Sequence, residues 1–248
     1  TLDASEYLDQ ADVLSAKVTQ LARLVTEARR CVVYAGAGLS TAAGIGDYAT
    51  QSREAPEGGI MQSPLLAQPT LSHRVLVGLH RAGKLHRVLQ QNHDGLPQKA
   101  GMPQEAVNEI HGALHAPDNP VVPMSGSLRQ DLLEDMLELE AEADLVLAVG
   151  TTLAGMNADR VVHSCAARAS VRSSKRTASP ALAAVGSTSP STVGGTVIIG
   201  LQRTKLDAEC TLRIFAPCDK AFELLSKVLQ LGELVPPPRA AGEYFTPP

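Results

Sequence analysis

Four short polar turns carry the residues of this sequence that could bind a nucleotide or move a proton. The first is Gly36-Ala37-Gly38, which directly follows the apolar run Cys31–Ala35. A glycine turn after a buried strand lets the backbone approach a phosphate, with helix N-terminal amides pointing at it. The turn departs from the usual dinucleotide fingerprint, because Thr41 stands where a third glycine is needed, and no Lys-Ser or Lys-Thr pair of a P-loop follows. The turn alone leaves open what binds there.

The other three turns each follow a short apolar run as well. They are Gln91-Asn92-His93-Asp94-Gly95, Gly150-Thr151-Thr152 and Gly200-Leu201-Gln202. If the apolar runs are neighbouring parallel strands, all four turns lie at the carboxyl edge of one sheet, where such sheets bind ligands.

Helices and strands that alternate along the chain would position these turns. Amphipathic patterns predict helices at 11–30, 65–84, 128–143 and 219–231, the second with Thr70 as its N-cap. Apolar runs predict strands at 31–35, 86–90, 144–149, 196–199 and 211–214. This alternation predicts an α/β fold, a Rossmann-like doubly wound parallel sheet of six or seven strands with helices on both faces.

The predicted organisation is one domain over 1–235 with a tail. Residues 168–195 are rich in Ser, Ala, Thr, Pro and Gly with four basic residues, and they predict a flexible surface insertion. Residues 236–248 form a proline-rich tail.

The composition predicts a globular protein with an aliphatic core. The chain has 248 residues, 44% of them hydrophobic but only 3% aromatic, and this length is ample for a core. The net charge of -4 argues against a nucleic-acid partner. With no apolar run near the ~20 residues of a membrane span and no signal-peptide pattern, we expect no membrane partner and an intracellular location, with nucleus and cytoplasm both open. The four cysteines form no C-x-x-C pair and predict reduced thiols.

Simple catalytic or metal sites do not account for the candidate residues. His111 and His115 have the spacing of a helical metal pair, but Gly112 and Pro117 argue against a helix there, so no metal site is predicted. Ser40 lacks the G-x-S-x-G context of a hydrolase nucleophile. An isolated histidine is more often structural than catalytic, so His111 gains weight only from its surroundings.

Those surroundings resemble the sirtuin family at five motifs in the family's order. Residues 36–41 with Gly44, Ile45 and Asp47 resemble G-A-G-I-S-T-x-x-G-I-P-D-F-R. Residues 91–101 resemble Q-N-x-D-G-L-H-x-x-A-G, and residues 109–112 resemble E-L-H-G. Residues 150–153 resemble G-T-S-L, and residues 197–214 resemble V-I-V-N-L-Q-x-T-K-x-D-x-x-A-x-L-x-I. The residues of the first motif are most similar to those of class IV sirtuins.

The resemblance implies an NAD-dependent protein deacylase. Sirtuins cleave the nicotinamide–ribose bond of NAD and transfer the acyl group of an acyl-lysine to ADP-ribose. His111 would be the general base acting on a ribose hydroxyl, a task suited to a group that titrates near neutral pH. Asn92 and Asp94 would order the nicotinamide pocket. The residues implied to bind the cofactor are Gly36, Ala37, Gly38, Ser40, Asp47, Tyr48, Gln91, Gly150, Thr151, Thr152, Leu201, Gln202 and Cys218.

Several positions depart from the family pattern. Between Gly112 and Val121 the chain has only ALHAPDNP, without cysteine, where most sirtuins carry a four-cysteine zinc ribbon. The resemblance therefore implies a reduced small lobe that lacks the zinc module. Ala49 replaces the arginine of I-P-D-F-R, and Gly200 replaces an asparagine near the adenosine. Pro123 interrupts the strand that pairs with an acyl-lysine peptide, and a proline removes one donor of that ladder.

Two hypotheses follow from this mixture. The chain is an NAD-dependent deacylase or a divergent, weakly active relative, or it is a catalytically silent, sirtuin-derived scaffold or NAD-sensing or ADP-ribose-sensing subunit of a larger assembly. The survival of Asn92, Asp94 and His111 favours the first hypothesis, and the loss of the zinc ribbon and the arginine favours the second.

Overall fold

One parallel sheet forms the centre of the structure. The computed structural model describes residues 5–46, 63–123, 125–177, 194–232 and 234. Within them the strands are β1 (Cys31–Ala35), β2 (Arg87–Gln90), β3 (Val107–Asn108), β4 (Leu145–Val149), β5 (Gly195–Ile199) and β6 (Leu212–Ile214). They pair in parallel in the order β3-β2-β1-β4-β5-β6, which confirms the predicted class of sheet.

The order of the strands reverses between β1 and β4. Ala35, the last residue of β1, is in register with Gln90 at the end of β2 and with Val149 at the end of β4. The turns that follow these three strands therefore start side by side. Such a switch point is the place where doubly wound sheets bind their ligands.

Helices cover both faces of the sheet, as predicted. They are α1 (Ala11–Glu27), α2 (Leu71–Arg81), α3 (Leu96–Lys99), α4 (Gln130–Glu142), α5 (Arg160–Thr177) and α6 (Cys218–Val228). Successive side chains of a strand point to opposite faces, so β1 contributes to two cores. Val33 and Ala35 pack with α1, α2 and α6, whereas Val32 and Tyr34 pack with α4 and α5. Among the described residues, no helix has the length and apolar character needed to cross a membrane.

The N-terminal end of α2 begins at the residue that the sequence indicates. Thr70 is the N-cap, with the extended backbone (φ -72°, ψ 174°) typical of that position. The four predicted helices and five predicted strands are all present, with ends that differ from the predicted ones by at most six residues. Strand β3 was not predicted, because two residues are too few to give an apolar pattern.

The predicted insertion at 168–195 is wrong at both ends. Residues 168–177 continue α5, a helix that was not predicted, and Gly195 already belongs to β5. The first turns of α5 bury Val161, Val162 and Cys165, and the chain has no proline or glycine before Pro180 to end the helix. Its Ser- and Arg-rich composition was mistaken for that of a loop. Residues 178–193, the tail at 236–248, and Asp47, Tyr48 and Ala49 lie outside the described residues.

Candidate active site

Three glycines bring the turns after β1 and β4 into backbone contact. The Gly36 N–H donates to the Val149 carbonyl (2.9 Å), and the Gly38 N–H donates to the Gly150 carbonyl (2.8 Å). A Cβ added to Gly38 would lie 2.8 Å from the Gly150 Cα, and one added to Gly150 would lie 2.3 Å from the Leu39 nitrogen. Gly150 also has a φ of +60°, which favours glycine. These glycines therefore allow the two turns to pack against each other at the switch point. This packing role was not part of the prediction that the glycine turn binds a phosphate.

The backbone after the first turn differs from the helix that phosphate loops usually open. Two single 3₁₀ turns, Ala37–Leu39 and Thr41–Ala43, follow β1. They bring Ser40, which is 1% exposed, beneath the turn after β2. The first predicted cofactor motif is thus a compact double turn that positions the buried hydroxyl of Ser40.

Ser40, Asn92 and Asp94 form one hydrogen-bonded cluster. The Ser40 hydroxyl donates to Asp94 Oδ2 (2.6 Å), and Asn92 Nδ2 donates to Ser40 Oγ (3.2 Å) and to the Gly36 carbonyl (3.0 Å). Asp94 is 3% exposed, and its Oδ1 accepts from the Leu96 N–H (2.9 Å) and from Gln90 Nε2 (3.3 Å). Because these donors compensate the buried carboxylate, Asp94 fixes the turn, and both bonds of Asn92 use its amide nitrogen.

Gln91 and Thr151 connect the turn after β2 to the turn after β4. Gln91 Nε2 donates to Thr151 Oγ1 (3.2 Å), which also accepts from the Leu153 N–H (3.3 Å). Both side chains are half-buried, as is the neighbouring Thr152. The predicted ribose and phosphate residues of the two turns therefore form one rim.

His111 lies on the loop after β3 and reaches the same rim. The loop is held by the Val122 N–H, which donates to the His111 carbonyl (2.9 Å), and by the Gly112 carbonyl, which accepts from His93 Nδ1 (2.8 Å). Partial burial and, next, the charge of His93 lower the pKa of His111, whereas the Gln91 carbonyl and Asp159 favour its protonated form. The neutral form of the ring, which the lowered pKa favours, has one nitrogen that can accept a proton.

The residue after His111 must be glycine. Gly112 has a φ of +83°, and a Cβ there would lie 2.1 Å from the Pro120 carbonyl oxygen. Residues 111–115 accordingly form turns rather than a helix, as predicted from Gly112 and Pro117. The conformation of Gly112 turns the loop back at once, so the segment that follows packs directly beneath His111.

Polar contacts hold the short segment after Gly112, where the sequence predicts a reduced small lobe. Asn119 Nδ2 donates to the Glu109 carbonyl (3.1 Å), and the Ala113 N–H donates to the Asn119 carbonyl (2.8 Å). The Glu109 carboxylate is buried 3.7 Å from His115 Nε2, and burial raises its pKa although His115 opposes this. Farther on, the Gly126 N–H closes a turn onto the Pro123 carbonyl (2.7 Å), and the described residues between 121 and 129 form no strand. The absence of a zinc module stays a prediction from the sequence.

The predicted adenosine residues lie farther along the same edge. Leu201 and Gln202 follow β5, and the N-terminal segment lies against them through the Tyr7 N–H, which donates to the Leu201 carbonyl (2.9 Å), and an antiparallel bridge between Glu6 and Gln202. Cys218 is buried at the first position of α6, a helix that contacts the turn Ala37–Leu39. The predicted residues Asp47 and Tyr48 lie outside the described residues.

A buried tyrosine–aspartate pair was missed by the sequence analysis. The Tyr34 hydroxyl donates to Asp159 Oδ1 (2.7 Å), and Asp159 Oδ2 accepts from the Gly155 and Met156 N–H groups (2.8 and 3.0 Å). This pair ties the loop after β4 to β1. The sequence shows Tyr34 only as part of the apolar run Cys31–Ala35. The one signal of a polar contact is the tyrosine hydroxyl in an otherwise apolar strand.

Comparisons with known proteins find similarity to sirtuins. The Sir2 family model matches residues 59–118. The NAD-dependent protein deacetylase SRT1 of Arabidopsis thaliana is 37% identical over 115 residues, which cover 44% of this chain and 24% of that protein. The NAD-dependent protein deacetylase sirtuin-7 of Rattus norvegicus is 38% identical over 120 residues, which cover 44% of this chain and 29% of that protein. The chain thus matches about a quarter of the length of these relatives.

Solved structures agree in fold over most of the chain. A structure described as "Sir2-p53 peptide-NAD+" has a TM-score of 0.65 and 22% identity and covers 87% of this chain and 100% of its own. One described as "Sir2 bound to acetylated peptide" has a TM-score of 0.65 and 23% identity with the same coverage. At these identities the likeness establishes the fold alone. The chain is thus similar to the Sir2 family, the sirtuins, over residues 59–118, and it has the fold of the solved Sir2 structures.

Proposed function

We propose that this chain is an NAD-dependent protein-lysine deacylase of the sirtuin type. The observation that carries the proposal is the position of His111, whose loop is joined through the bond between His93 and the Gly112 carbonyl to the turn that carries Asn92 and Asp94. The relatives are named NAD-dependent protein deacetylases, and this supports an enzyme over a silent scaffold. NAD and an acyl-lysine protein are the proposed substrates.

The residues at the switch point suit a dinucleotide. Half-buried polar side chains, those of Gln91, Asn92 and Thr151, form the rim, and the buried Ser40 and Asp94 hold them from beneath. The glycine turn after β1 would take the pyrophosphate, Gln91 and Thr151 the ribose, and Asn92 the nicotinamide end. When bound, NAD supplies the nicotinamide–ribose bond, whose cleavage lets ADP-ribose receive the acyl group.

The chain itself supplies a neutral base. Because burial and His93 lower the pKa of His111, its ring is neutral at pH 7. A neutral imidazole has one acceptor nitrogen, which can take a proton from a ribose hydroxyl. Asn92 is fixed by two hydrogen bonds and needs little reorganisation when it orients the nicotinamide end.

The proposal is tested by replacing the base. We expect His111→Ala to lower deacylation by roughly 10²–10⁴-fold, the usual contribution of a general base, while NAD still raises the melting temperature. The assay is mass spectrometry of an acetyl-lysine and a long-chain acyl-lysine peptide with NAD. His163→Ala, on an exposed histidine of α5, is the matched control and should keep wild-type activity.

Other outcomes would contradict the proposal in distinguishable ways. Release of nicotinamide without deacylation would point to an NAD hydrolase or an ADP-ribosyltransferase. This outcome is worth testing because a turn at Pro123 lies where the resemblance implies the strand that pairs with the acyl-lysine peptide. A folded protein that binds NAD without releasing nicotinamide would be a scaffold or sensor. The absence of any thermal shift with millimolar NAD or ADP-ribose would mean that the nucleotide site has been lost.

A further inference from the structure

His93 joins the turn after β2 to the loop that carries His111. Its half-buried ring donates from Nδ1–H to the Gly112 carbonyl (2.8 Å), and its own carbonyl accepts from the Leu114 N–H (3.0 Å). The two bonds fall on either side of Ala113 and fasten the residues directly after His111. His93 sits between Asn92 and Asp94, which belong to the cluster at the switch point.

We propose that His93 is a positioning residue for His111, and that it holds the loop of the general base by donating its Nδ1 proton to the Gly112 carbonyl. This role rests on the proposed deacylase function, because a base needs positioning only where it acts. Gly112 is the point at which the loop reverses, with a φ of +83°. A donor aimed at its carbonyl therefore fixes the direction in which the His111 side chain leaves the backbone.

The same placement makes the charge of His93 matter to His111. Three groups act electrostatically on His111: His93 and the Gln91 backbone, both on the turn after β2, and Asp159 before α5. Of these, only His93 opposes the protonated form. Removing its charge leaves Asp159 and the carbonyl, so the pKa of His111 should rise.

Two variants separate the hydrogen bond from the charge. In His93→Asn the amide nitrogen takes the place of Nδ1 and can still donate to the Gly112 carbonyl, but the side chain does not titrate. In His93→Leu both the donor and the charge are gone. His163→Asn, on the exposed face of α5, is the matched control for a histidine outside the site.

The variants are first compared by NMR, which does not depend on activity. Titration of the labelled His111 ring should give a higher pKa in both His93 variants than in the wild type. Hydrogen exchange of the Ala113 and Val122 amides should stay slow in His93→Asn and become faster in His93→Leu. Unchanged exchange in His93→Leu, or equal losses in the two variants, would overturn the role of the Gly112 bond. If His93→Leu does not fold, slow exchange in His93→Asn supports the role and fast exchange overturns it.

Kinetics then connect the loop to the reaction. We expect kcat for deacylation to fall by up to about 100-fold in His93→Leu, with KM for NAD unchanged, because misplacement of a reacting group costs rate rather than binding. In His93→Asn kcat should stay near wild type, with the acid limb of its pH profile moved to higher pH. A wild-type kcat in His93→Leu would overturn the positioning role. A wild type without turnover would contradict the proposed function alone, since the NMR arms still decide the role of His93.

Discussion

A buried carboxylate is tolerated at Asp159 because three donors surround it. The side chain is 3% exposed and receives the Tyr34 hydroxyl and the N–H groups of Gly155 and Met156. Burial, and next the negative charge of Asp159, raise the pKa of Tyr34, so the phenol stays protonated and acts as donor. A single tyrosine in the central strand thereby compensates much of the desolvation of the aspartate that anchors the loop after β4.

Removing that donor should cost stability without changing the shape of the core. We expect Tyr34→Phe to lower the free energy of unfolding by about 2 kcal/mol, the usual contribution of a hydrogen bond to a charged group. Urea denaturation of the wild type and the variant measures the difference. A double-mutant cycle with Asp159→Asn should give a coupling energy above about 0.5 kcal/mol. Additive losses would contradict the importance of the pair.

The turns after β1 and β4 are in direct contact. These turns meet backbone to backbone because Gly36, Gly38 and Gly150 have no side chains. The hydrogen bond from the Gly150 N–H to the Ile199 carbonyl (2.9 Å) extends the arrangement to the end of β5. The three strand ends are thus held at a spacing that any side chain at these glycines would change.

A comparison of two glycines with nearly the same backbone conformation tests how much the close contact between the turns contributes to stability. Gly150 has a φ of +60° and close neighbours, whereas Gly83 has a φ of +66° and nothing within 4 Å of an added Cβ. Gly83→Ala should cost only the left-handed conformation, about 1–2 kcal/mol. Gly150→Ala should cost a further ~1–3 kcal/mol from overpacking. Equal losses in urea denaturation would show that the close approach contributes nothing.

The elements were predictable where periodicity was strong. The apolar runs at β1, β4 and β5 and the amphipathic patterns of α1 and α6 are local signals, and the structure contains all of them. Helix α5 carries an equally local apolar face, but the Ser, Arg and Ala residues that follow it are also typical of loops. Composition alone cannot separate a solvated helix from an exposed loop, since both are polar.

The site was predictable as a set of residues and not as a set of contacts. The predicted strands placed the motifs of Ser40 and Asp94 at strand ends, and the strand order brings those ends together. The position of His111 beside them depends on β3, which no apolar pattern predicted. The bond between Ser40 and Asp94 spans 54 residues of sequence. Tyr34 and Asp159 are 125 residues apart in the sequence, and none of the five motifs connects them. Such pairs follow from the tertiary fold, which local patterns do not encode.

The stability of the whole molecule should depend on pH through His73, a fully buried histidine of α2. Its Nδ1 accepts from the Thr70 N–H (3.2 Å), and among the described residues its Nε2 has no hydrogen-bond partner. Burial lowers the pKa of His73 from 6.5 to about 4; Arg74 acts in the same direction, while Asp94 and Asp219 oppose the shift. A charged ring at this position would therefore disrupt the packing of α2.

The sign of the effect follows from proton uptake on unfolding. Between pH 6.5 and about 4 the unfolded chain binds a proton at His73 that the folded chain does not, so stability from this group is complete above pH 6.5 and falls as the pH is lowered. In His73→Asn the side-chain oxygen can still accept from the Thr70 N–H, but no titration occurs. We expect the wild type to exceed this variant in free energy of unfolding at pH 7.5, and the difference to shrink by about 2–3 kcal/mol at pH 4.5. Urea denaturation at both pH values measures this, and the other titrating groups cancel in the difference. A difference that does not change with pH would show that His73 is not kept neutral by the fold.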